Sequence, residues 1–150
     1  MDAIDLKLIT LLQKNARTPL KVLAGQVYLS SPATAARIER LEKEGILSGY
    51  TATVDLKKVG MPIIAFIHLD LDPKLKPTFY PFIQAHPHVL ECVCVTGHYS
   101  QLIKVAFDTT ESLDTFVGEL NAFGHTETQI AFSEPQPVRG ICIEEICNQK

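Results

Sequence analysis

Histidine, cysteine and acidic side chains are the first candidates for an active site or a metal site in this sequence. The chain has five histidines and four cysteines. His86 and His88 flank a proline at a predicted helix-to-strand turn, where exposed polar residues are common, and Cys92 and Cys94 share one face of a predicted strand, where burial is expected. The P-loop, HExxH, GxSxG and CxxC motifs are all missing. The sequence therefore predicts no enzyme, no metal site and no cofactor.

A polar turn between two apolar stretches is a better candidate for a binding site. In "VTGHYSQLIKV" the turn lacks the Asn-Gly type of pair that tight hairpins usually carry. Its residues are Gly97, His98, Tyr99, Ser100 and Gln101. Polar groups gathered at a turn can bind the ammonium and carboxylate groups of a small molecule. An ordinary hairpin explains the same residues and stays open as the alternative.

A second polar stretch, "HTETQ", lies near the predicted end of the same domain. Strand periodicity places Thr126 and Thr128 on one face, and we expect the other face of that strand to be buried. The two threonines are therefore candidates for a wall of the same site. An edge strand without a ligand is the alternative.

The stretch "LSSPATAARIERLEKEGIL" carries small residues at its start and arginines further on. A helix with this order can approach the floor of the DNA major groove, because the small side chains of Ala33 and Ala36 do not hold the helix backbone away from the bases. The side chains that could bond to phosphates or bases are Ser31, Thr34, Arg37 and Arg40. The alternative is a solvated amphipathic helix with pairs such as Arg40 and Glu44.

The distribution of charge separates the chain into two parts. The whole chain has a net charge of −3, yet residues 1–60 hold nine Lys or Arg against six Asp or Glu, a balance of +3. Residues 61–150 hold five against eleven, a balance of −6. A basic head on an acidic body predicts two domains with different partners, double-stranded DNA being the partner of the head.

Helical periodicity and caps predict three short helices in the head, residues 1–49. Asp2 is the expected cap of the first helix, Ser30 or Ser31 caps the third, and Gly45 ends it. A short turn joins the second and third helices, as in a helix-turn-helix. The stretch "GYTATVDLKKVG", residues 49–60, alternates like a strand, which predicts a winged domain and a hinge over residues 50–61.

The body, residues 62–150, reads in the order βαββαβ, which predicts a ferredoxin-like fold and an α+β protein. The strand "IIAFIHLDLD" is apolar on both faces, although two helices can cover only one. A second copy of the chain is the simplest cover for the other face, so we expect a homodimer. We expect Ile141 and Ile143 to add one more strand in the tail.

Two features predict a cytoplasmic protein without a membrane span. No run approaches the roughly 18 apolar residues of a membrane helix, and the start, Met-Asp-Ala-Ile-Asp, lacks the order of a signal peptide. In that compartment thiols stay reduced, so we expect Cys92, Cys94, Cys142 and Cys147 to remain unpaired.

The sequence resembles the Lrp/AsnC, or feast/famine, family of transcriptional regulators over essentially its whole length. The head carries "NAR", "LA", "LS", "RLEKEGI" and "GY" in the family's order. The body places "VTGHYSQLIKV" at the family's effector hairpin, with Ser100 where the usual pattern has Asp, as in the asparagine-responsive AsnC branch. "TET" matches the T-x-T of the last core strand.

The resemblance implies a fold and a set of partners. It implies a helix-turn-helix domain followed by the family's ferredoxin-like RAM domain, dimers that assemble into octamers, and a nucleoid-associated protein. It also implies Ser31, Thr34, Arg37 and Arg40 as DNA contacts, and a small, polar, asparagine-like amino acid bound at residues 97–101 with Thr126 and Thr128.

Three functions are compatible with these patterns. The first is a sequence-specific DNA-binding regulator that responds to an amino acid. The second is an amino-acid-binding enzyme or metabolic regulator whose head only oligomerises, and it leaves the basic head unexplained. The third is an architectural DNA-binding protein that ignores effectors. Titration with amino acids separates the first from the third.

Overall fold

The computed structural model describes residues 1–141 as two compact units. The first comprises Met1–Ala52 together with residues 136–141, and the second is Thr53–Pro135. The predictions made for Cys142, Ile143 and Cys147 lie outside the described residues. Within residues 1–141, each helix is too short or too polar to cross a bilayer.

The first unit contains the three predicted helices, α1 (Ala3–Lys14), α2 (Leu20–Val27) and α3 (Ser31–Lys43). Asp2 caps α1 in a reciprocal capping box with Asp5, and Ser30 caps α3 by accepting a hydrogen bond from the Ala33 N–H. The apolar faces meet in one small core, which contains Leu8, Leu12, Leu23 and Val27. Helical spacing of leucine and valine therefore accounts for the packing of the unit.

The turn between α2 and α3 is short and contains a left-handed residue. Tyr28 ends α2 with φ 57° and ψ 40°, and its N–H donates to the carbonyl of Ala24. A non-glycine residue in this region costs about 1 kcal/mol or more. The ring is 90% exposed, so packing of the aromatic ring does not compensate for the strain.

The strand predicted for residues 50–61 is wrong. Residues 48–55 have no regular structure, and residues 56–60 form a turn in which Met61 donates to the carbonyl of Leu56. A strand needs a neighbour for its N–H and C=O groups, and no segment of residues 1–141 pairs with this one. The alternating sequence pattern of residues 50–61 is therefore not sufficient to form the strand of a wing.

The second unit has the predicted βαββαβ order. It consists of β1 (Ile63–Leu71), a 3-10 turn at Pro73–Leu75, α4 (Lys76–Ala85), β2 (Val89–Cys94), β3 (Gln101–Phe107), α5 (Thr110–Leu120) and β4 (Gly124–Ile130). The strands form one antiparallel sheet in the order β2-β3-β1-β4. The predicted α+β class, a helix-turn-helix region followed by a ferredoxin-like domain, is confirmed.

The two helices of this unit cover one face of the sheet. Alternate residues of β1, from Ala65 to Leu71, are buried on that face against Phe79 of α4 and Phe116 of α5. The residues between them, Ile64, Phe66 and His68, lie on the opposite face and are half-buried. We call this second face the open face of the sheet.

Gly124 starts β4 beside Leu71 and Asp70, and its backbone approaches β1 closely. A Cβ at this position would collide with the carbonyl group of Asp70, so Gly124→Ala must displace backbone. We expect it to lower the unfolding free energy by about 1–3 kcal/mol, measured by urea denaturation followed by far-UV circular dichroism of the full chain.

Gly118 provides the matched control, because it lies inside α5 with open space around its missing side chain. Gly118→Ala should raise the unfolding free energy by about 0.5–1 kcal/mol, since alanine is the better helix former. Equal effects of the two substitutions would contradict the close approach at Gly124.

Candidate functional site

Helix α3 presents a surface of small residues at its N-terminal end. Pro32, Ala33 and Ala36 are exposed, and Ser31 is half-buried. One further turn along, Arg40 is exposed at 47% of its side chain. This surface has the low profile that close approach to a DNA groove requires, followed by a cation.

Thr34 does not belong to that surface. Its side chain is fully buried, and its hydroxyl donates a hydrogen bond of 3.0 Å to the carbonyl of Ser30. The predicted DNA contact of Thr34 is therefore excluded in this arrangement, since the side chain has neither exposed area nor a free donor.

Arg37 and Arg40 bind acidic residues of α1. Arg37 Nη1 donates to Asp2 Oδ2 at 2.7 Å and to Asp5 Oδ1 at 2.9 Å, and its side chain is 28% exposed. Arg40 Nη2 donates to Asp5 Oδ2 at 2.6 Å. Glu44 lies 3.9 Å from Arg40 Nε. We call Asp2, Asp5, Arg37 and Arg40 the arginine clamp.

The clamp changes the protonation of its acids. Asp5 is buried, with 1% exposure. Burial raises the pKa of its carboxyl group, but hydrogen bonds from the Asp2 N–H, Arg37 and Arg40 outweigh this and lower the pKa from 3.8 to about 2. The pKa of Asp2 is lowered by the Asp5 N–H and by Arg37, and the pKa of Arg37 is raised by both aspartates. The two aspartates of the clamp are therefore ionised at neutral pH, and Arg37 is protonated.

The polar hairpin of the second unit is tied to β1 by Ser100. The Ser100 N–H donates to the carbonyl of Leu69 at 3.1 Å, and the Leu71 N–H donates to the Ser100 hydroxyl at 3.1 Å. The hydroxyl of Ser100 thus satisfies the backbone of β1. Gly97 and His98 are exposed at the tip, and Gly97 has φ 121°, a conformation that favours glycine.

Tyr99 lies over the open face, beside His125 and Glu127 of β4. Its hydroxyl donates to Glu127 Oε2 at 3.1 Å, and its ring is 5.4 Å from that of His68 and 6.4 Å from that of His125. Burial and the Glu127 carboxylate raise the pKa of Tyr99, while hydrogen bonds from Gln129 and Tyr99 lower the pKa of Glu127. A carboxylate, a phenol and imidazoles are thus gathered beside the hairpin.

Glu127 and His68 were missing from the sequence prediction. The signal that could have found them is strand alternation, because His68 pairs with Glu127 across β1 and β4. Glu127 lies between Thr126 and Thr128 in the chain, so it points to the face opposite theirs.

Thr126 and Thr128 lie on the helix-covered side of the sheet, opposite to Leu69 and Ile67 of β1. The hydroxyl of Thr126 donates to Asn121 at 2.9 Å. The structure therefore does not bring the two threonines together with Tyr99 inside one chain. The expectation that their opposite face is buried is also wrong, since residues 125, 127 and 129 are exposed.

Gln101 points away from the hairpin as well. It is buried on the helix-covered side, where its amide nitrogen donates to Cys94 Sγ at 3.4 Å and both thiols approach its amide oxygen, Cys92 at 3.7 Å and Cys94 at 3.5 Å. Burial and Cys94 raise the pKa of Cys92 to about 11. In this arrangement Gln101 organises the two thiols and has no surface for an effector.

The remaining polar candidates have structural partners. His88 Nδ1 is 2.8 Å from the Ala106 carbonyl, and the His86 ring packs 4.3 Å from that of Phe116. Burial and the neighbouring His88 lower the pKa of His86. Among residues 1–141 no three His, Cys, Asp or Glu side chains are arranged to hold a metal ion.

Two family profiles match the chain. The AsnC-type helix-turn-helix domain matches residues 1–42, and the Lrp/AsnC ligand binding domain matches residues 64–141. The matches coincide with the unit that contains α1–α3 and with the sheet that carries the hairpin.

Relatives and solved structures have the same architecture. The uncharacterized HTH-type transcriptional regulator YezC of Bacillus subtilis is 34% identical over 133 residues, which cover 89% of this chain and 94% of YezC. The structure of LrpC from B. subtilis superposes with a TM-score of 0.86 at 29% identity, covering 91% of this chain and 97% of LrpC. The structure of AsnC from Escherichia coli gives 0.83 at 28% identity, covering 95% and 98%.

The low pKa of Asp5 has a consequence for acid stability. Because the pKa in the folded protein, about 2, lies below the ordinary 3.8, Asp5 stabilises the fold fully above that ordinary value. The stabilisation declines as the pH falls from 3.8 through 2. We expect the Asp5 carboxyl carbon to titrate near pH 2 in NMR spectra of the full chain. A midpoint near 3.8 in the folded protein would contradict the clamp.

Proposed function

The chain belongs to the Lrp/AsnC family of transcriptional regulators, and from that premise we propose that it is a sequence-specific DNA-binding regulator that responds to a small amino acid. The observation that carries the proposal is the exposed, small-residue surface of α3 with Arg40 one turn beyond it. The family consists of transcriptional regulators, so an enzymatic role is set aside.

The proposed DNA surface differs from the prediction. It contains Ser31, Ala33, Ala36 and Arg40, because these side chains are exposed or half-exposed on α3. Ser31 can donate to a phosphate, the alanines allow close approach, and Arg40 retains N–H groups that the clamp does not use. Arg37 contributes through the clamp, and Thr34 has no direct role.

The proposed effector site lies at the hairpin. Glu127 can accept hydrogen bonds from the ammonium group of an amino acid, and Tyr99 can donate to or accept from a polar side chain. The exposed backbone at Gly97 allows access to an N–H for the carboxylate. These groups favour a polar amino acid, and asparagine is the first candidate because of the GHYS pattern.

The proposed assembly uses the open face. Ile64, Phe66 and Leu102 are half-buried there, and Val93 is exposed on the neighbouring edge strand. A second copy of the chain would cover these apolar groups. We propose a homodimer on this basis, and an octamer on the basis of the family; analytical ultracentrifugation of the full chain separates the two. We also propose that the protein acts at the nucleoid in the cytoplasm, because the proposed partner is double-stranded DNA.

Thr126 and Thr128 can line the proposed effector site only where two copies of the chain meet. Within one chain they face away from Tyr99, and β4 is an edge strand. A site shared between copies could present them to an effector bound at another chain's hairpin.

Arg40 tests the DNA surface. The binding site is first obtained by selection from random-sequence duplexes, with the full chain as bait. Arg40→Ala should weaken binding to the selected duplex by about 1–3 kcal/mol and lower the salt slope by about one, because one cationic contact is lost. Fluorescence anisotropy at several salt concentrations measures both quantities.

Lys74→Ala is the matched control, since Lys74 is an exposed cation on the 3-10 turn of the second unit. It should leave affinity and slope unchanged. If Arg40→Ala behaves like this control, Arg40 is not at the interface.

Tyr99 and Glu127 test the effector site. We expect a thermal-shift screen of the twenty amino acids to give the largest increase in Tm with asparagine or another polar amino acid. Tyr99→Phe should then weaken binding by about 1 kcal/mol or more in isothermal calorimetry, because a hydrogen bond is lost, and Glu127→Gln should weaken it further by removing the charge that pairs with the ammonium group.

Gln84→Ala, at an exposed position of α4, is the control and should bind normally. A screen without any hit would contradict the effector site and favour an architectural DNA-binding protein. Loss of binding in Thr128→Ala would instead show that the site includes the other face of β4.

A further inference from the structure

Asp5 is the single fully buried acidic side chain among residues 1–141. Its two carboxylate oxygens are used by different arginines of α3, at 2.9 Å for Arg37 and 2.6 Å for Arg40. Asp5 Oδ2 also accepts the Asp2 N–H at 2.9 Å. A buried charge with such partners is held in one orientation, so the two guanidinium groups are held with it.

The clamp restricts the side chains that face DNA. A free arginine loses rotamer freedom when it binds a base or phosphate. Arg40 has already lost part of that freedom, because its Nη2 is bound to Asp5 while 47% of its side chain remains exposed. Its remaining N–H groups therefore point in a defined direction.

The clamp also neutralises the cations of α3. Two arginines face Asp2, Asp5 and Glu44, so this group of five side chains carries a net charge of 2 − 3 = −1. Attraction to phosphates acts on every duplex regardless of sequence. A recognition helix whose arginines are neutralised by neighbouring acids gains less from that attraction and depends more on its fit to particular bases.

We propose that Asp5 is a positioning residue that determines DNA specificity, by orienting Arg40 and by masking the charge of Arg37 and Arg40. This inference rests on the proposed function. Asp5 itself does not touch DNA, since its side chain is buried behind the two arginines.

Asp5→Asn tests the inference, because asparagine keeps the size of the side chain and an oxygen that can accept the Asp2 N–H. The full-length variant is compared with the wild type on two duplexes, the selected site and a scrambled duplex of equal composition. We expect affinity for the scrambled duplex to rise about threefold or more at low salt, with a steeper salt slope. The ratio of the two affinities should fall at least fivefold.

Asp114→Asn is the matched control. It removes the same charge from an exposed position of α5 in the second unit, and it should leave the ratio unchanged. Circular dichroism establishes whether Asp5→Asn is folded. If it is not, Asp2→Asn takes its place, because Asp2 is half exposed and, of the two arginines, pairs only with Arg37, while asparagine can still accept the Asp5 N–H at the cap; the same changes should then appear with smaller size.

The outcomes separate the possible errors. An unchanged ratio in the folded variant overturns the inference, and so does equal weakening on both duplexes, which indicates a merely structural role. A wild-type protein that enriches no sequence during selection overturns the proposed function, and the inference with it.

Discussion

The contact between the buried carboxylate of Asp5 and two arginines of α3 is the interaction on which the first unit depends. Apolar side chains of α1, α2 and α3 form the core, and the ion pairs add a directional contact between α1 and α3. Two charge-assisted hydrogen bonds from residues one turn apart fix both the rotation of α3 and its distance from α1. The exposed face of α3 is a consequence of that constraint.

The two faces of the sheet in the second unit carry different kinds of side chains. The helix-covered face contains the core, together with Gln101 and the two thiols that it contacts. The open face carries apolar side chains suited to a second copy, and beside them lie Tyr99 and Glu127. A ligand at the hairpin would therefore bind next to the surface through which copies of the chain would meet, which is where an effector can alter assembly.

Much of this architecture could be predicted from the sequence, because it follows from local patterns. Helical spacing and the caps at Asp2 and Ser30 located α1 and α3, and short apolar runs such as "IIAFIHLDLD" located the strands of the sheet. The same periodicities also indicate the burial of two residues that the prediction had placed in binding sites. Thr34 shares a face with Ile38 and Leu41, at i, i+4 and i+7, and Gln101 alternates with the buried Ile103 and Val105.

Other features depend on contacts between distant residues. Asp5 and Arg37 are 32 positions apart, and helix periodicity cannot show that they meet. The strand expected at residues 50–61 needed a neighbour that the pattern does not specify. The pairing of Glu127 with His68 depends on strand register. A change of one residue in loop length would shift that register and move each side chain of the strand to the other face of the sheet.

Ser100 has one further implication for how this molecule moves. Its backbone and hydroxyl both form hydrogen bonds with β1, at Leu69 and Leu71. These bonds hold the backbone of the hairpin next to Tyr99 against the strand. Any displacement of the backbone beside Ser100 must break those bonds or move β1 with it. The backbone of the hairpin and β1 therefore move together.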